Sequence, residues 1–268
     1  MNPLYAAILG IVEGITEYLP ISSTGHLILV SRLLGLEGEG ADAFDVVIQL
    51  GAILAVVVHY RKLLLERTTG LLKRDSRSVS LLVALILGFV PTAITGLLLR
   101  KKIKALLFGP KPVAIALIVG GIIMIIVELI RSRREDKGKD GLEHVTPWRA
   151  FVIGIGQCFS MWPGSSRSMC TIVAGQLTGL STGTAAEFSF LLGLPTLGAA
   201  TVYEAYKSRA ALSAIGPLNV VIGLVVSFFV AWAVVAGFVA YLKKRGLAPF
   251  GYYRIILGVI VFAVLVRA

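Results

Sequence analysis

Six stretches of this chain, at about 43–60, 80–99, 112–130, 185–206, 217–242 and 251–267, each hold close to 20 residues of nearly unbroken apolar sequence. A helix rises 1.5 Å per residue, so about 20 residues cover a hydrocarbon core of about 30 Å. Repeated six times, the pattern confines the chain to polytopic membrane helices. Composition closes off the alternatives. Only 15% of the 268 residues are charged, and the apolar share, counting Gly but not Tyr, is about 64% against the 45–50% usual for soluble domains. Disorder and coiled coils need more charge, and a disulfide scaffold needs more cysteine than Cys158 and Cys170, which read as small packing residues. The expected fold is all-α, one integral membrane domain over 1–268.

Two further apolar segments break off early. Residues 3–18 carry Glu13 and Glu17 and stop at Pro20; residues 150–162 stop at Pro163-Gly164. Each is followed by a Ser-Ser pair and a second apolar run, to Leu34 and to about Leu180. A half-helix, a polar break and a returning half-helix predict a re-entrant hairpin, because non-helical backbone at membrane depth needs protein or a wet cavity around it. The hairpins align with one another. Gly10-Ile11-Val12-Glu13 faces Gly154-Ile155-Gly156-Gln157, and after one residue of slippage Pro20-Ile21-Ser22-Ser23 faces Pro163-Gly164-Ser165-Ser166. Three spans follow each hairpin, so the expected halves are about 1–131 and 149–268, with a charged loop at 131–149. Three is odd, and homologous halves must therefore insert in opposite senses, as in the inverted repeats of transporters.

The formal charge of +11 lies between the apolar runs and is read as a topology and lipid-headgroup signal, with no nucleic-acid partner. With both termini outside, the inner connections hold 15 Lys and Arg and the outer ones 9, a weak bias toward that orientation.

Charged groups inside apolar segments are costly and mark candidate sites. Glu13 and Glu17 share one helix face. Two carboxylates in a low-dielectric cavity need a proton, a cation or an arginine between them, and Mg²⁺ or Ca²⁺ supplies that through oxygen ligands and substrate phosphate. Ser22-Ser23-Thr24-Gly25-His26 reads as a serine-capped helix start, with His26 in the first turn, where the positive dipole end favours a neutral imidazole. The second tip, Pro163-Gly164-Ser165-Ser166-Arg167-Ser168-Met169-Cys170-Thr171, is built for an anion: free backbone N–H groups at a helix start, the Arg167 fork, and Thr171 one turn on. The copies differ in a complementary way. Glu13 and Glu17 stand opposite Gln157 and Met161, and Thr24 stands opposite Arg167. A symmetric transport pathway has no need for that division; metal-assisted phosphoryl transfer needs both parts.

The stretch Glu13-Gly-Ile-Thr-Glu17-Tyr-Leu-Pro-Ile-Ser-Ser-Thr-Gly-His26 and the second tip resemble the two main motifs of the undecaprenyl-pyrophosphate phosphatase family, the bacitracin-resistance type of integral membrane phosphatase. Phe44-Asp-Val-Val-Ile-Gln-Leu-Gly51, Phe188-Ser-Phe-Leu-Leu192 and Tyr252-Tyr-Arg254 extend the similarity along the chain. The resemblance implies hydrolysis of the C55 isoprenyl pyrophosphate to the monophosphate, which recycles the lipid carrier of cell-wall synthesis. It also implies Mg²⁺ or Ca²⁺ dependence and a multi-pass protein of the bacterial plasma membrane whose site opens to the outer face. A homodimer is compatible with it. Glu13 and Glu17 are the implied metal ligands, with Glu17, Ser23, His26 and Arg167 catalytic. Ser22, Thr24, Ser165, Ser166, Arg167, Ser168 and Thr171 are the implied phosphate contacts, with Arg254 a further one. Ser23, activated by His26 or Glu17, is the first-choice nucleophile; His26 itself and a cation-bound water stay open. The rival activity is a flippase for an isoprenyl phosphate lipid.

Overall fold

The computed structural model describes residues 1–107, 109–132 and 138–266. Thirteen α-helices lie among them: α1 (Pro3–Thr16), α2 (Ser23–Leu33), α3 (Glu39–Val47), α4 (Gln49–His59), α5 (Arg61–Leu72), α6 (Ser76–Leu107), α7 (Pro110–Ser132), α8 (Pro147–Cys158), α9 (Arg167–Leu177), α10 (Thr182–Lys207), α11 (Arg209–Ile215), α12 (Pro217–Arg245) and α13 (Ala248–Val261). Part of the expected charged loop, at 133–137, and the end of the last expected span, at 267, lie outside the described residues.

Five of the six expected spans are long and apolar enough to cross a bilayer: Glu39–His59, Ser76–Leu99, Pro110–Ser132, Thr182–Lys207 and Pro217–Leu242. The first joins α3 and α4. The sixth is a shorter apolar helix over Ala248–Val264, ending in a π-turn at Phe262–Val266. Ile86 and Ile94 on α6, Ile122 and Ile126 on α7, and Ile256 and Val259 on α13 point outward. An exposed aliphatic coat of this kind is a liability in water and the normal surface in lipid.

The two broken segments fold as half-helices of 14 and 11 residues in the first half and 12 and 11 in the second, each too short to cover about 30 Å. Their starts are built alike. Asn2 caps α1 and Thr146 caps α8, and each cap is followed by a proline in the first turn, where the missing N–H costs nothing. Ser22 caps α2 through Gly25 N and Ser166 caps α9 through Met169 N, and both serines are non-glycine residues with positive φ, 74° and 70°. These matching caps set the true register. Ser22 corresponds to Ser166, with no slippage, so Ser23 and not Thr24 stands opposite Arg167. On the surface connections, α5 and α11 also occupy equivalent places, and neither was anticipated. Asp75 caps α6 by accepting from Ser78 Oγ and N at 2.8 and 2.9 Å, bonds that hold its carboxyl below the usual carboxylate range.

The halves exchange helices as they pack. α1 lies along α12 and α8 lies along α6, while α7 and α13 pair with each other. Small residues permit the close approach that drives such packing in lipid. A Cβ on Gly10 would stand 2.7 Å from the Gly223 carbonyl oxygen, and one on Gly154 would stand 2.6 Å from that of Gly88. Gly154→Ala is therefore expected to destabilise by about 1–3 kcal/mol. Gly198→Ala, with nothing within 4 Å of the added carbon, should leave Tm unchanged or slightly raised. Thermal unfolding of both variants in one detergent tests the pair, and equal Tm values would refute the helix exchange.

Candidate active site

The two broken tips meet. Ser168 Oγ donates to the Tyr18 carbonyl at 2.7 Å, and the Arg167 Nη2 donates to Glu17 Oε1 at 3.1 Å, with both side chains almost wholly buried. Glu17 continues the α1 turn, since its N–H donates to the Glu13 carbonyl, which keeps the two glutamates one turn apart as the spacing predicts. Its other oxygen, Oε2, accepts from Ser23 Oγ at 2.6 Å. One carboxylate thus joins the hydroxyl at the start of α2 to the guanidinium at the start of α9.

Arg167 is held from three further sides. Nη1 donates to Ser189 O at 2.9 Å and to Ser189 Oγ at 3.2 Å, and the guanidinium lies 5.4 Å from the Tyr18 ring centroid. Gly193 makes room for it, since a Cβ there would sit 3.1 Å from the guanidinium carbon. Ser189, on α10, also bonds Thr171 Oγ1 at 2.6 Å. The sequence offers Ser189 only as part of the similar segment Phe188–Leu192, with nothing there to assign it a role.

Among the buried side-chain atoms without a partner, those of two charged residues at the tips stand out. Both oxygens of Glu13 and the Nε of Arg167 are buried and have no hydrogen-bond partner. The position equivalent to Glu13 shows what a purely structural solution looks like: Gln157 Nε2 donates to Thr92 Oγ1 at 2.9 Å and to Thr196 Oγ1 at 3.3 Å. Leaving carboxyl oxygens and a guanidinium N–H buried and unpaired is costly. A cation at Glu13 and an anion at Arg167 would pair those atoms. The donor chemistry at Glu13 fits a hard divalent ion, which prefers carboxylate oxygen. Among the described residues no group of three or more His, Cys, Asp or Glu could hold a metal, so phosphate and water oxygens would have to complete the shell, as is usual for Mg²⁺.

Several expected phosphate contacts are engaged elsewhere. The hydroxyls of Ser22 and Ser166 cap their helices, that of Ser168 ties the tips, and that of Thr171 bonds Ser189 and the Arg167 carbonyl. Ser165 is buried beside Ser166, and Thr24 is half-buried without joining the network. Arg254 corrects the sequence reading outright. It is wholly buried, and its donors go to carbonyls: Nη1 to Pro20 at 3.1 Å, Nη2 to Gly164 at 2.9 Å and Ala116 at 3.1 Å, and Nε to Leu117 at 3.4 Å. Pro20 and Gly164 belong to opposite tips. Arg254 therefore clamps the tips together, and the cation expected on a phosphate is spent on backbone.

His26 also differs from expectation. Its Nδ1 lies 2.7 Å from the Ser22 carbonyl and its Nε2 lies 2.7 Å from the hydroxyl of Tyr253 on α13. Both ring nitrogens are engaged away from Ser23, whose own proton is directed to Glu17.

A family model for bacitracin resistance protein BacA matches residues 6–260. A protein of Sorangium cellulosum (strain So ce56) named undecaprenyl-diphosphatase is 58% identical over 258 residues, covering 96% of this chain and 84% of that protein. Proteins of the same name from Thermoanaerobacter pseudethanolicus and Variovorax paradoxus (strain S110) are 46% and 44% identical, covering 95% and 96% of this chain and 94% and 93% of their own. With the match running through both tips and into the last apolar helix, the chain belongs to the bacitracin resistance protein BacA family.

Proposed function

We propose that this chain hydrolyses undecaprenyl pyrophosphate to undecaprenyl phosphate and inorganic phosphate, as the names of its relatives state for them. The observation that carries the chemistry is Glu17 placed between the Ser23 hydroxyl and Arg167. Ser23 Oγ attacks the terminal phosphorus while its proton passes to Glu17 Oε2. The bond from that phosphorus to the bridging oxygen breaks, and the lipid monophosphate leaves with both bonding electrons. Water then attacks the phosphoserine, Ser23 recovers a proton, and inorganic phosphate departs. Of the alternatives open in the sequence, base catalysis by Glu17 has the geometry, whereas His26 is turned to Ser22 and Tyr253.

The Arg167 Nε, which has no partner, and the first backbone N–H groups of α2 and α9, ahead of those that the serine caps take, bind the phosphates. Glu13 would hold the divalent ion. Glu17, read from the sequence as its fellow ligand, has each oxygen already engaged, which leaves Glu13 the principal protein ligand. When bound, such an ion supplies Lewis-acid polarisation of the phosphoryl oxygens. The bacterial plasma membrane and an outward-opening site complete the proposal, supported by the bias of Lys and Arg between the connections. One chain supplies every group named, so the chemistry requires no homodimer.

Purified protein in detergent is expected to release inorganic phosphate from undecaprenyl pyrophosphate, to stop when the divalent ion is chelated, and to resume when Mg²⁺ or Ca²⁺ is added back. A flippase would release none without a second enzyme, and turnover undiminished by chelator would exclude the role given to Glu13.

A further inference from the structure

Under the function proposed above, Ser23 must be held where Glu17 can take its proton, and the bonds around His26 show how α13 contributes. The Ser22 carbonyl only accepts, so His26 Nδ1, 2.7 Å away, carries the ring hydrogen. In the neutral ring Nε2 is then an acceptor, and the Tyr253 hydroxyl at 2.7 Å donates to it. The rings lie parallel, 1° between planes and 5.7 Å between centroids. The Ser22 carbonyl fixes the tautomer, and the Tyr253 contact, made across 227 residues of chain, fixes the orientation of the ring.

Ser22 needs such a brace. It is a non-glycine residue at φ 74°, in a region that costs about 1–2 kcal/mol, and it immediately precedes the reacting serine. Its carbonyl is held by the His26 ring in addition to the His26 backbone N–H at 3.3 Å. The neighbouring residue of α13 grips the other end of the same turn, since Arg254 holds the Pro20 carbonyl. Consecutive residues 253 and 254 thus fix both ends of segment 20–26. In the second tip the residue equivalent to His26 is Cys170, and that tip, which carries no nucleophile, has no imidazole strut.

We infer that Tyr253 is a positioning residue for the hydrolytic reaction: through His26 it fixes the Ser22–Ser23 turn and so holds the Ser23 hydroxyl against Glu17. The inference rests on the proposed role of Ser23 and Glu17, and its test separates the two.

Tyr253→Phe keeps the stacked ring and removes only the hydroxyl. Phosphate release should fall about tenfold in kcat, the scale of one lost hydrogen bond, with KM within about twofold. His26 Nε2, relieved of its partner, should react several-fold faster with diethyl pyrocarbonate, read by mass spectrometry on the His26 peptide of the folded protein in detergent. Combining Tyr253→Phe with His26→Gln should slow the enzyme no further than His26→Gln alone. An unchanged carbethoxylation rate would overturn the hydrogen bond. Additive losses in the double variant would overturn the route through His26. A wild-type kcat in His26→Gln would overturn the strut while leaving the proposed chemistry of Ser23 and Glu17 standing.

Discussion

Glu17→Gln is expected to lower kcat for phosphate release by about 10³-fold, within the range for loss of a general base, while the protein still folds. Glutamine fills the same volume and can still accept from Ser23, but it cannot take the proton, and it no longer neutralises Arg167. Substituting alanine would be a poorer test, because it would leave the buried guanidinium beside an empty space. Arg167→Lys complements it. The lysine keeps the charge but loses the planar fork that reaches Glu17 and Ser189 together, and a rate loss of about 10²-fold is expected, on the scale of one removed transition-state donor. Steady-state release from undecaprenyl pyrophosphate, with Tm measured alongside, checks both. Rates within tenfold of wild type in Glu17→Gln would sink the serine–glutamate mechanism.

The second large effect lies outside the chemistry. Arg254→Leu removes the donors that hold Pro20 and Gly164, and two buried carbonyls, one in each tip, lose their partner. At about 1–3 kcal/mol for each unsatisfied group and about 2–4 °C per kcal/mol for a chain of this size, Tm should fall by roughly 5–20 °C. Turnover should fall with it, because the tips carry the reacting groups. A phosphate ligand at this position would behave differently: KM would rise while Tm stayed near wild type. Measuring both quantities on the same preparation decides between clamp and ligand. Gly120 shares in the arrangement, since a Cβ there would collide with the Arg254 guanidinium.

Much of this was legible in the chain. Apolar runs of about 20 residues announced the spans, and broken runs with acids or an arginine at the break announced two tips with unlike chemistry. The meeting of Glu17 and Arg167 is the contact that this division of chemistry calls for. The register of the repeat did not. Pro20 and Pro163 invited alignment, yet one residue separates Pro20 from its helix cap and two separate Pro163 from its own, with Gly164 at φ 94° taking up the extra one. Only the caps reveal that Ser23 and Arg167 occupy the same place in the two copies. Arg254 was misread for a related reason. An intramembrane cation signals a partner without saying whether that partner is a ligand or a carbonyl, and its four acceptors come from three separate parts of the chain. Tyr253 and Ser189 lie in segments that carry the resemblance, but their roles were not legible because each acts on a tip outside its own helix.

The exchange of partners between the halves bears on biogenesis. Hairpin α1 is made first, but the surface it rests on, α12, is made nearly last. At about 5–20 residues per second the ribosome needs on the order of 10–40 s to supply the intervening stretch. Throughout that interval Glu13 and Glu17 sit on a nascent helix without its groove, and for most of it without Arg167 as well. The two glutamates must wait in the translocon, at the lipid surface or with an insertase, and that waiting period is where substitutions on the glycine face of α1 would first be felt, as turnover of the newborn chain.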